Sequence, residues 1–301
     1  MKYFVASGEE RRLTAEARQA MPGSFIELSD GVTHYELTGP EDGDVVVMAG
    51  GLTIPLFYWD SLASELNTRG LRTLTCSAYG RGYSDRVRAR YDENLFARQL
   101  AELTDRLGLT ARPLHLVGTS MGALVSMTYA AQYRSSVSTL TVVGPAGLAK
   151  PRPTSPDRLL RNDRLAGLIA RRRGLQILQG HLGHNVRDPE LGAELTEMVL
   201  DAFRFEGSLY AVFDTLQHLP VSGRDDLFRQ TGALGIPTLL LWGDEDDVTP
   251  LVHFDTARAL LKPQQHHVIP QCGHMAPFER PSDVADQIVS FVAARAERLD
   301  S

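Results

Sequence analysis

Ser120 lies between two glycines in the segment LVGTSMG, which ends at Gly122. An apolar run precedes this serine and an apolar helical pattern follows it, so Gly118-x-Ser120-x-Gly122 is predicted at a strand-to-helix turn. Such a turn holds a hydroxyl exposed at the end of a strand, in a strained backbone conformation. The N–H of Met121 then lies at the start of the helix, where amide protons and the helix dipole favour an oxyanion. These features make Ser120 a candidate nucleophile.

A serine hydroxyl becomes a useful nucleophile only beside a base, which a third group must orient. One apolar run ends at Trp242 and leads into four carboxylates at residues 244–247, and another ends near Pro270, shortly before His274. Both loops are predicted at the carboxyl ends of strands, on the same edge of the sheet as Ser120. The order serine, acid, histidine is one of the chain orders known for such triads. At this point each of the four carboxylates is a candidate acid.

The rest of the sequence predicts the elements that bring these loops together. The segment FIELSDGVTHYELTG, residues 25–39, predicts a β-hairpin around an Asp-Gly turn. Short continuous apolar runs predict strands buried on both faces, and amphipathic helical segments alternate with them. The runs lie at residues 44–50, 71–78, 114–118, 137–144, 236–243 and 266–270. This pattern predicts an α/β fold, a mostly parallel eight-stranded sheet flanked by helices, with the hairpin at its antiparallel edge.

The alternation stops between residues 146 and 231, where helical pieces are separated by prolines. A helical insertion between two strands of a parallel sheet lies at the carboxyl edge, where ligands bind in open α/β folds. We therefore predict two units. Residues 1–145 and 232–301 form the core, and residues 146–231 form a helical cap, or lid, over the site.

Together these motifs resemble the α/β-hydrolase superfamily, in particular its capped, cofactor-independent serine hydrolases such as esterases, lipases and carbon–carbon bond hydrolases. The resemblance covers nearly the whole predicted core. WGDEDDVTP is similar to the family's acid-bearing loop with Asp246 as the triad acid, and GHMAPFERP to its histidine loop with His274 as the base. The resemblance also implies that Leu52 N–H joins Met121 N–H in an oxyanion hole. It implies an enzyme, a carboxylic ester hydrolase first of all, that needs no cofactor and no metal.

Two positions depart from the family pattern. Relatives have His-Gly where this chain has Gly50-Gly51, and Asp where this chain has Ser77 in the segment SAYGRGYS. In the family both residues support the loops around the site and take no part in proton transfer. We therefore expect a complete triad in a somewhat altered frame.

Four residues are candidates for the substrate pocket, namely Gly51, Phe57, Phe203 and Phe213. Phe57 follows the oxyanion loop, and the phenylalanines of the predicted cap recur at helical spacings. This spacing fits packing of the cap on the core as well as an apolar acyl pocket, so both interpretations stay open. A largely apolar cap indicates a hydrophobic small-molecule substrate.

Composition excludes several other classes. The chain of 301 residues has a net charge of −6 and therefore lacks the basic surface of a nucleic-acid-binding protein. Cys76 and Cys272 lack the spacing of a disulfide framework or zinc site, and His181 with His184 lacks an acidic partner for zinc. No apolar stretch suits a secretion signal or a membrane span, so we expect a cytoplasmic protein. A homodimer is left open.

The same triad permits other activities. A carbon–carbon bond hydrolase is the nearest alternative, and a non-hydrolytic lyase or acyltransferase is another. Epoxide hydrolases and haloalkane dehalogenases are disfavoured, because those relatives have Asp at the position of Ser120. A non-catalytic, hydrolase-like ligand binder is the alternative from a different class. The departures at Gly50 and Ser77 favour it, whereas the predicted triad argues against it.

Overall fold

A computed structural model of the chain describes residues 1–151, 163–182 and 185–297. In these residues eight strands form one sheet: β1 Ser24–Glu27, β2 Val32–Thr38, β3 Val45–Ala49, β4 Arg72–Cys76, β5 Leu114–Thr119, β6 Val137–Val143, β7 Thr238–Gly243 and β8 Gln265–Ile269. They lie in the order β1-β2-β4-β3-β5-β6-β7-β8. β2 pairs antiparallel with both β1 and β4, and all other neighbours are parallel. The predicted mostly parallel sheet with a hairpin at one edge is confirmed.

The described residues also contain eleven α-helices. They are α1 Ala15–Gln19, α2 Asp60–Thr68, α3 Glu93–Arg106, α4 Met121–Gln132, α5 Asp163–Leu182, α6 Pro189–Ala202, α7 Ser208–His218, α8 Asp225–Ala233, α9 Phe254–Leu261, α10 Ala276–Glu279 and α11 Pro281–Glu297. Two groups of helices flank the sheet, α2 with α11 and α3 with α4, α8 and α9. This architecture is the α/β fold that the sequence predicts.

The central strand β5 and the helix that follows it, α4, are deeply buried. All six residues of β5 are buried, and so are the ten residues from Met121 to Ala130 in α4. A helix that is apolar on all sides must be buried, and a strand between two helical layers has no polar face. The turn between β5 and α4 is therefore fixed on both sides by the core.

The helices α5, α6 and α7, called the inserted helices below, lie between β6 and β7 in the chain. Residues 1–12 pack against them: Arg11 forms a β-bridge with Phe205, and the buried Glu9 accepts from Gly207 N and Leu209 N at the start of α7. The helix α8 packs on α4 and α9 and continues through residue 231, where the predicted cap ends. The division into core and cap stays a prediction.

Candidate active site

Ser120 occupies the sharp turn between β5 and α4. Its backbone has φ 55° and ψ −121°, and a positive φ is strained for a residue that carries a side chain. Its N–H donates to Val143 O at 3.1 Å, and its carbonyl oxygen accepts from Ala123 N and Ala146 N, each at 3.2 Å. These three bonds hold the strained turn while the residue stays partly exposed.

Two glycines let the strand and the helix approach at this turn. A Cβ atom at Gly122 would lie 2.0 Å from Ala49 O, and one at Gly118 would lie 2.5 Å from Gly122 O. Both distances are far shorter than van der Waals contact, so a larger residue would force β3, β5 and α4 apart. The structure thus places Ser120 at the strand-to-helix turn that its motif predicts.

The structure brings His274 and Asp246 together at the same edge of the sheet. His274 Nδ1 lies 2.8 Å from Asp246 Oδ2, and the two residues are only 2% and 4% exposed. Asp246 Oδ1 accepts from Val248 N at 2.9 Å and Thr249 N at 2.7 Å, which aims Oδ2 at the ring. Because an ionised carboxylate only accepts, Nδ1 carries the proton and Nε2 keeps a free lone pair.

The other three carboxylates of this loop have different surroundings. Asp244 Oδ1 accepts from Cys272 N at 3.1 Å, Glu245 binds Arg187 Nε at 2.7 Å, and Asp247 is exposed. Of the four, Asp246 alone contacts the His274 ring. This geometry supports the choice of acid that the family resemblance implies.

Thr249 is a further member of this cluster that the sequence analysis missed. Its Oγ1 lies 2.8 Å from Asp246 Oδ2, 3.1 Å from Gly144 O and 3.2 Å from His274 Nδ1. Gly144 leaves space for the cluster, since a Cβ atom there would lie 3.1 Å from Asp246 Oδ2. The signal that could have identified Thr249 is its position three residues after an aspartate, where a turn returns the chain to that carboxylate.

The histidine loop is held from two sides. The Glu279 carboxylate accepts from Gly273 N at 3.1 Å and Met275 N at 3.2 Å, the residues on either side of His274. His274 N itself donates to Asn185 O at 3.1 Å, in the segment between α5 and α6. The inserted region thus contacts the histidine loop directly, and Glu279 is a second residue that the sequence analysis missed.

The end of β6 connects Ser120 to the histidine. Val143 O accepts from Ser120 N. The next residue is Gly144, and a Cβ atom added there would lie 3.6 Å from His274 Nδ1. In the described residues no hydrogen bond joins Ser120 Oγ to His274. Such bonds are often long without substrate and tighten when it binds. The structure therefore places all three predicted triad residues at one sheet edge. Of the two hydrogen bonds that a triad needs, the one between His274 and Asp246 is formed.

The predicted oxyanion residues lie on the other side of the serine. A Cβ atom at Gly51 would lie 3.4 Å from Ser120 Cβ and 3.8 Å from Ser120 Oγ, so the loop after β3 lies next to the Ser120 side chain. Leu52 N–H has no hydrogen-bond partner in the part of the chain that the structure describes. Met121 is the first residue of α4, where an N–H has no acceptor one turn earlier. Both amides are thus available as donors.

The structure explains how the chain accommodates a glycine at position 50. A Cβ atom there would lie 3.0 Å from Ile54 Cγ1 and 3.7 Å from Trp59 Nε1, so Ile54 fills the space next to the main chain. Trp59 Nε1 is buried and has no hydrogen-bond partner among the described residues. Ile54 thus packs where the family resemblance implies a supporting histidine side chain.

Ser77 anchors the loop after β3 through hydrogen bonds that involve His34. Its Oγ accepts from Leu56 N at 3.0 Å and lies 3.2 Å from His34 Nδ1, while His34 Nε2 lies 3.0 Å from Pro22 O. A carbonyl only accepts, so Nε2 carries the proton and Nδ1 accepts from the Ser77 hydroxyl. Burial lowers the pKa of His34 to about 4, which keeps the ring neutral at pH 7. Ser77 and His34 together therefore fix the loop.

The predicted pocket residues serve packing in this structure. Phe203 is buried and lines a cleft of about 880 Å³ between residues 8–10, α5 and α6, and no triad residue lines that cleft. Phe213 packs against Gly174, and Phe57 packs its ring against His34 and Tyr83. A role of the three phenylalanines in a substrate pocket stays a prediction.

Other parts of the molecule bear on cofactors and membranes. In the described ranges no three His, Cys, Asp or Glu side chains are arranged to hold a metal ion. The His181 and His184 side chains lie outside the described residues. Cys76 and Cys272 are free and buried, and burial raises the pKa of both thiols, that of Cys76 to about 12. Of the described helices, none combines the length and the apolar character needed to cross a bilayer.

Two groups of curated proteins are similar to this chain. Monoacylglycerol lipase ABHD6 of Mus musculus is 26% identical over 224 residues, which are 65% of this chain and 60% of that protein. The chain thus spans about three-fifths of the length of these lipases. 2-Hydroxy-6-oxo-6-phenylhexa-2,4-dienoate hydrolase of Burkholderia cepacia is 24% identical over 302 residues, 92% of this chain and 99% of that protein.

Solved structures share the fold. A thermophilic esterase from Thermogutta terrifontis superposes with a TM-score of 0.76 at 24% sequence identity, and covers 91% of this chain and 99% of its own. A family model described as alpha/beta hydrolase fold matches residues 44–281, from the start of β3 to the start of α11. Strand order, the serine turn and this match agree, and the chain belongs to the alpha/beta hydrolase fold family.

Proposed function

We propose that this protein is a serine hydrolase that cleaves an ester or related acyl bond of a hydrophobic small molecule. Ser120 Oγ attacks the carbonyl carbon while His274 Nε2 takes the hydroxyl proton, and the leaving group departs with that proton to leave an acyl-enzyme. Water activated by the same nitrogen then releases the acid. Asp246 holds the imidazole in the tautomer this requires and stabilises the imidazolium.

The observation that carries this proposal is the buried 2.8 Å contact between His274 Nδ1 and Asp246 Oδ2. It leaves Nε2 as the basic atom of the ring, at the sheet edge where Ser120 is held in a strained turn. A ligand binder has no physical need for this arrangement. We therefore favour catalysis over the non-catalytic alternative.

The backbone N–H groups of Leu52 and Met121 supply the second requirement of acyl transfer. As the carbonyl carbon becomes tetrahedral, its oxygen gains negative charge, and donors that are already in place stabilise that charge without reorganisation. Removing one such donor raises the barrier by about 3 kcal/mol in serine proteases. The approach of Gly51 to Ser120 supports placing this loop above the reacting carbonyl.

A carbon–carbon bond hydrolase is the second candidate. The dienoate hydrolase matches 92% of this chain, whereas the lipase matches 65%. The two candidates use the same serine and differ in the bond that breaks. Synthetic 2-hydroxy-6-oxohexa-2,4-dienoates, whose absorbance falls on cleavage, can be compared directly with p-nitrophenyl esters. Turnover of the dienoate at least tenfold faster, in kcat/KM, would favour this second candidate.

The first experiment is fluorophosphonate labelling read by intact mass, followed by p-nitrophenyl esters of increasing chain length. We expect one label on the wild type and none on Ser120→Ala, because the reagent reacts with activated serines. Ser126→Ala is a matched control, since Ser126 is buried in α4, the helix that follows Ser120, and this variant should label like the wild type. A folded wild-type protein that neither labels nor hydrolyses any ester would contradict the proposal and bring the binder forward.

A further inference from the structure

Arg81 is a fully buried side chain that binds three neutral oxygen atoms. It is 0% exposed. Its Nε donates to Leu52 O at 2.8 Å, one terminal nitrogen donates to Tyr79 O at 3.0 Å, and the other donates to Thr215 Oγ1 at 2.9 Å. Burial lowers the pKa of the guanidinium to about 10, so the group is still charged at pH 7.

The Arg81 cation is buried among hydrogen-bond acceptors and aromatic rings. Among the described residues no carboxylate forms an ion pair with Arg81, and its charged end instead lies 5.3 Å from the centre of the Phe96 ring and 6.0 Å from that of Tyr91. Burying a charge is unfavourable unless it is paired and hydrogen-bonded. Here hydrogen bonds and aromatic rings replace the counter-ion, and the positive charge is not cancelled nearby.

The three acceptors belong to three parts of the molecule. Leu52 is the predicted oxyanion donor after β3, Tyr79 is in the loop after β4, and Thr215 is a buried residue of α7, an inserted helix. The bond to Leu52 O fixes the peptide that follows Leu52 and so restricts the direction in which Leu52 N–H points. The bond to Thr215 connects the same side chain to the inserted helices.

We propose that Arg81 is a positioning residue that holds the oxyanion loop in its catalytic geometry and couples it to helix α7. The inference rests on the proposed hydrolase function. The fixed donor fork of a guanidinium suits this role, because it can bind three separated acceptors at once, which a lysine ammonium on a flexible stem does less well. A shift of α7 then changes the geometry of the oxyanion donor through a single side chain.

Arg86 provides a matched control for this proposal. Its guanidinium also donates to neutral acceptors, namely Gly82 O, Ser84 O, Ala202 O and Ser208 Oγ. Burial lowers its pKa to about 10 as well. Arg86 thus connects the β4 loop to the inserted region, but none of its hydrogen bonds reaches residues 50–55.

The test compares Arg81→Met with Arg86→Met in p-nitrophenyl ester hydrolysis and in the rate of fluorophosphonate labelling. For Arg81→Met we expect kcat to fall about 10- to 100-fold with KM within about threefold, because a misplaced donor weakens only the transition state. The apparent pKa of the base in the pH–rate profile should not move. Arg86→Met should keep kcat within about twofold of the wild type. Its loss of thermal stability should be similar to that of Arg81→Met.

Thr215→Val and Thr215→Ser test the link to α7 even if Arg81→Met does not fold. Valine keeps the shape of threonine and removes the acceptor, whereas serine retains it. We expect Thr215→Val to lower kcat about 3- to 10-fold and Thr215→Ser to restore the wild-type value. Serine keeps a hydroxyl that accepts from Arg81 and donates to Ala211 O, whereas valine loses both bonds, and of the two partners only Arg81 also binds the oxyanion loop.

Four outcomes would count against the inference. Equal losses of kcat in Arg81→Met and Arg86→Met would show that Arg81 serves stability alone. Equal kcat in Thr215→Val and Thr215→Ser would remove the coupling to α7. A folded wild-type protein that neither reacts with fluorophosphonate nor hydrolyses any ester would refute the proposed function and the inference with it. A reactive wild type with equally reactive Arg81→Met would refute only the inference.

Discussion

The two sides of Ser120 are held in different ways. On the acid and histidine side, most of the bonds are local: Asp246 accepts from backbone N–H groups two and three residues later, and Glu279 accepts from the residues on either side of His274. The bond from His274 N to Asn185 O is the long-range addition described above. On the oxyanion side, the loop after β3 depends on side chains from distant parts of the chain. Arg81 and Ser77 bind its backbone.

The difference has a physical reason. The acid must be held against the pull of a buried imidazolium, and short local turns with charged acceptors supply stiff, strong hydrogen bonds. The oxyanion loop contributes a single backbone N–H, so different sets of side chains can support it as long as they fix its backbone. This chain has Gly50 and Ser77 where relatives have histidine and aspartate. The departures from the family pattern described under Sequence analysis thus fall on the oxyanion side.

The largest loss of activity is expected on the acid and histidine side, from a substitution at Asp246. Asp246→Asn keeps the shape but places an N–H donor where the ring needs an acceptor, so the imidazole flips to the wrong tautomer. We expect kcat for a p-nitrophenyl ester to fall by about 10⁴, as for the equivalent change in a serine protease. Asp247→Asn changes an exposed neighbour and should leave kcat unaltered. Similar losses in the two variants would contradict the assignment of the acid.

On the oxyanion side, His34 should make stability depend on pH. The unfolded ring takes up a proton as the pH falls through about 6.5, whereas burial in the folded protein delays this to about 4. Between these values the unfolded state binds more protons, so the free energy of unfolding falls as the pH drops from 6.5 to 4 and this contribution then levels off. Its full size is about 3 kcal/mol.

Urea unfolding at pH 7, 5.5 and 4.5 measures this dependence. His34→Gln should be less stable than the wild type at pH 7 but should lose less free energy of unfolding as the pH falls. His253→Gln is a control, since His253 is a partly exposed residue next to α9. Equal pH slopes in the wild type and His34→Gln would show that this ring is not held neutral by burial.

Of these three predictions on the two sides of Ser120, the smallest effect is expected at Thr249. Thr249→Val keeps the shape but removes the hydroxyl that lies 2.8 Å from Asp246 Oδ2. We expect kcat to fall about tenfold, the size of one hydrogen bond to a charged group, and Thr249→Ser to recover most of it. A valine variant with wild-type kcat would show that the backbone donors alone orient Asp246.

Much of this arrangement could be predicted from the sequence, because its signals are local. The apolar runs identify the strands, the Asp-Gly turn identifies the hairpin, and the small residues at positions 118 and 122 identify the turn that carries Ser120. Strands of a parallel sheet end at a common edge, so the loops with Asp246 and His274 could be placed near the serine without knowing any contact.

The supporting residues could not be found in this way. Arg81 meets Thr215 across 134 positions of sequence, and His34 meets Ser77 across 43. No periodicity reports contacts between elements so far apart in the chain. The phenylalanine spacing in the inserted region likewise fits both packing and a substrate pocket. An apolar side chain on a helix indicates that something apolar covers it, but the sequence does not identify whether that is protein or substrate.

The two buried thiols give each side of the site its own chemical probe. Cys76 ends β4 immediately before Ser77, and Cys272 lies two residues before His274. Both are shielded and poorly ionised in the folded protein, so a disulfide reagent can reach each one only when the chain around it opens. The rate at which each thiol is modified, followed by peptide mass, therefore reports the local opening of one half of the site separately from the other. Ester substrates report the two halves only in combination.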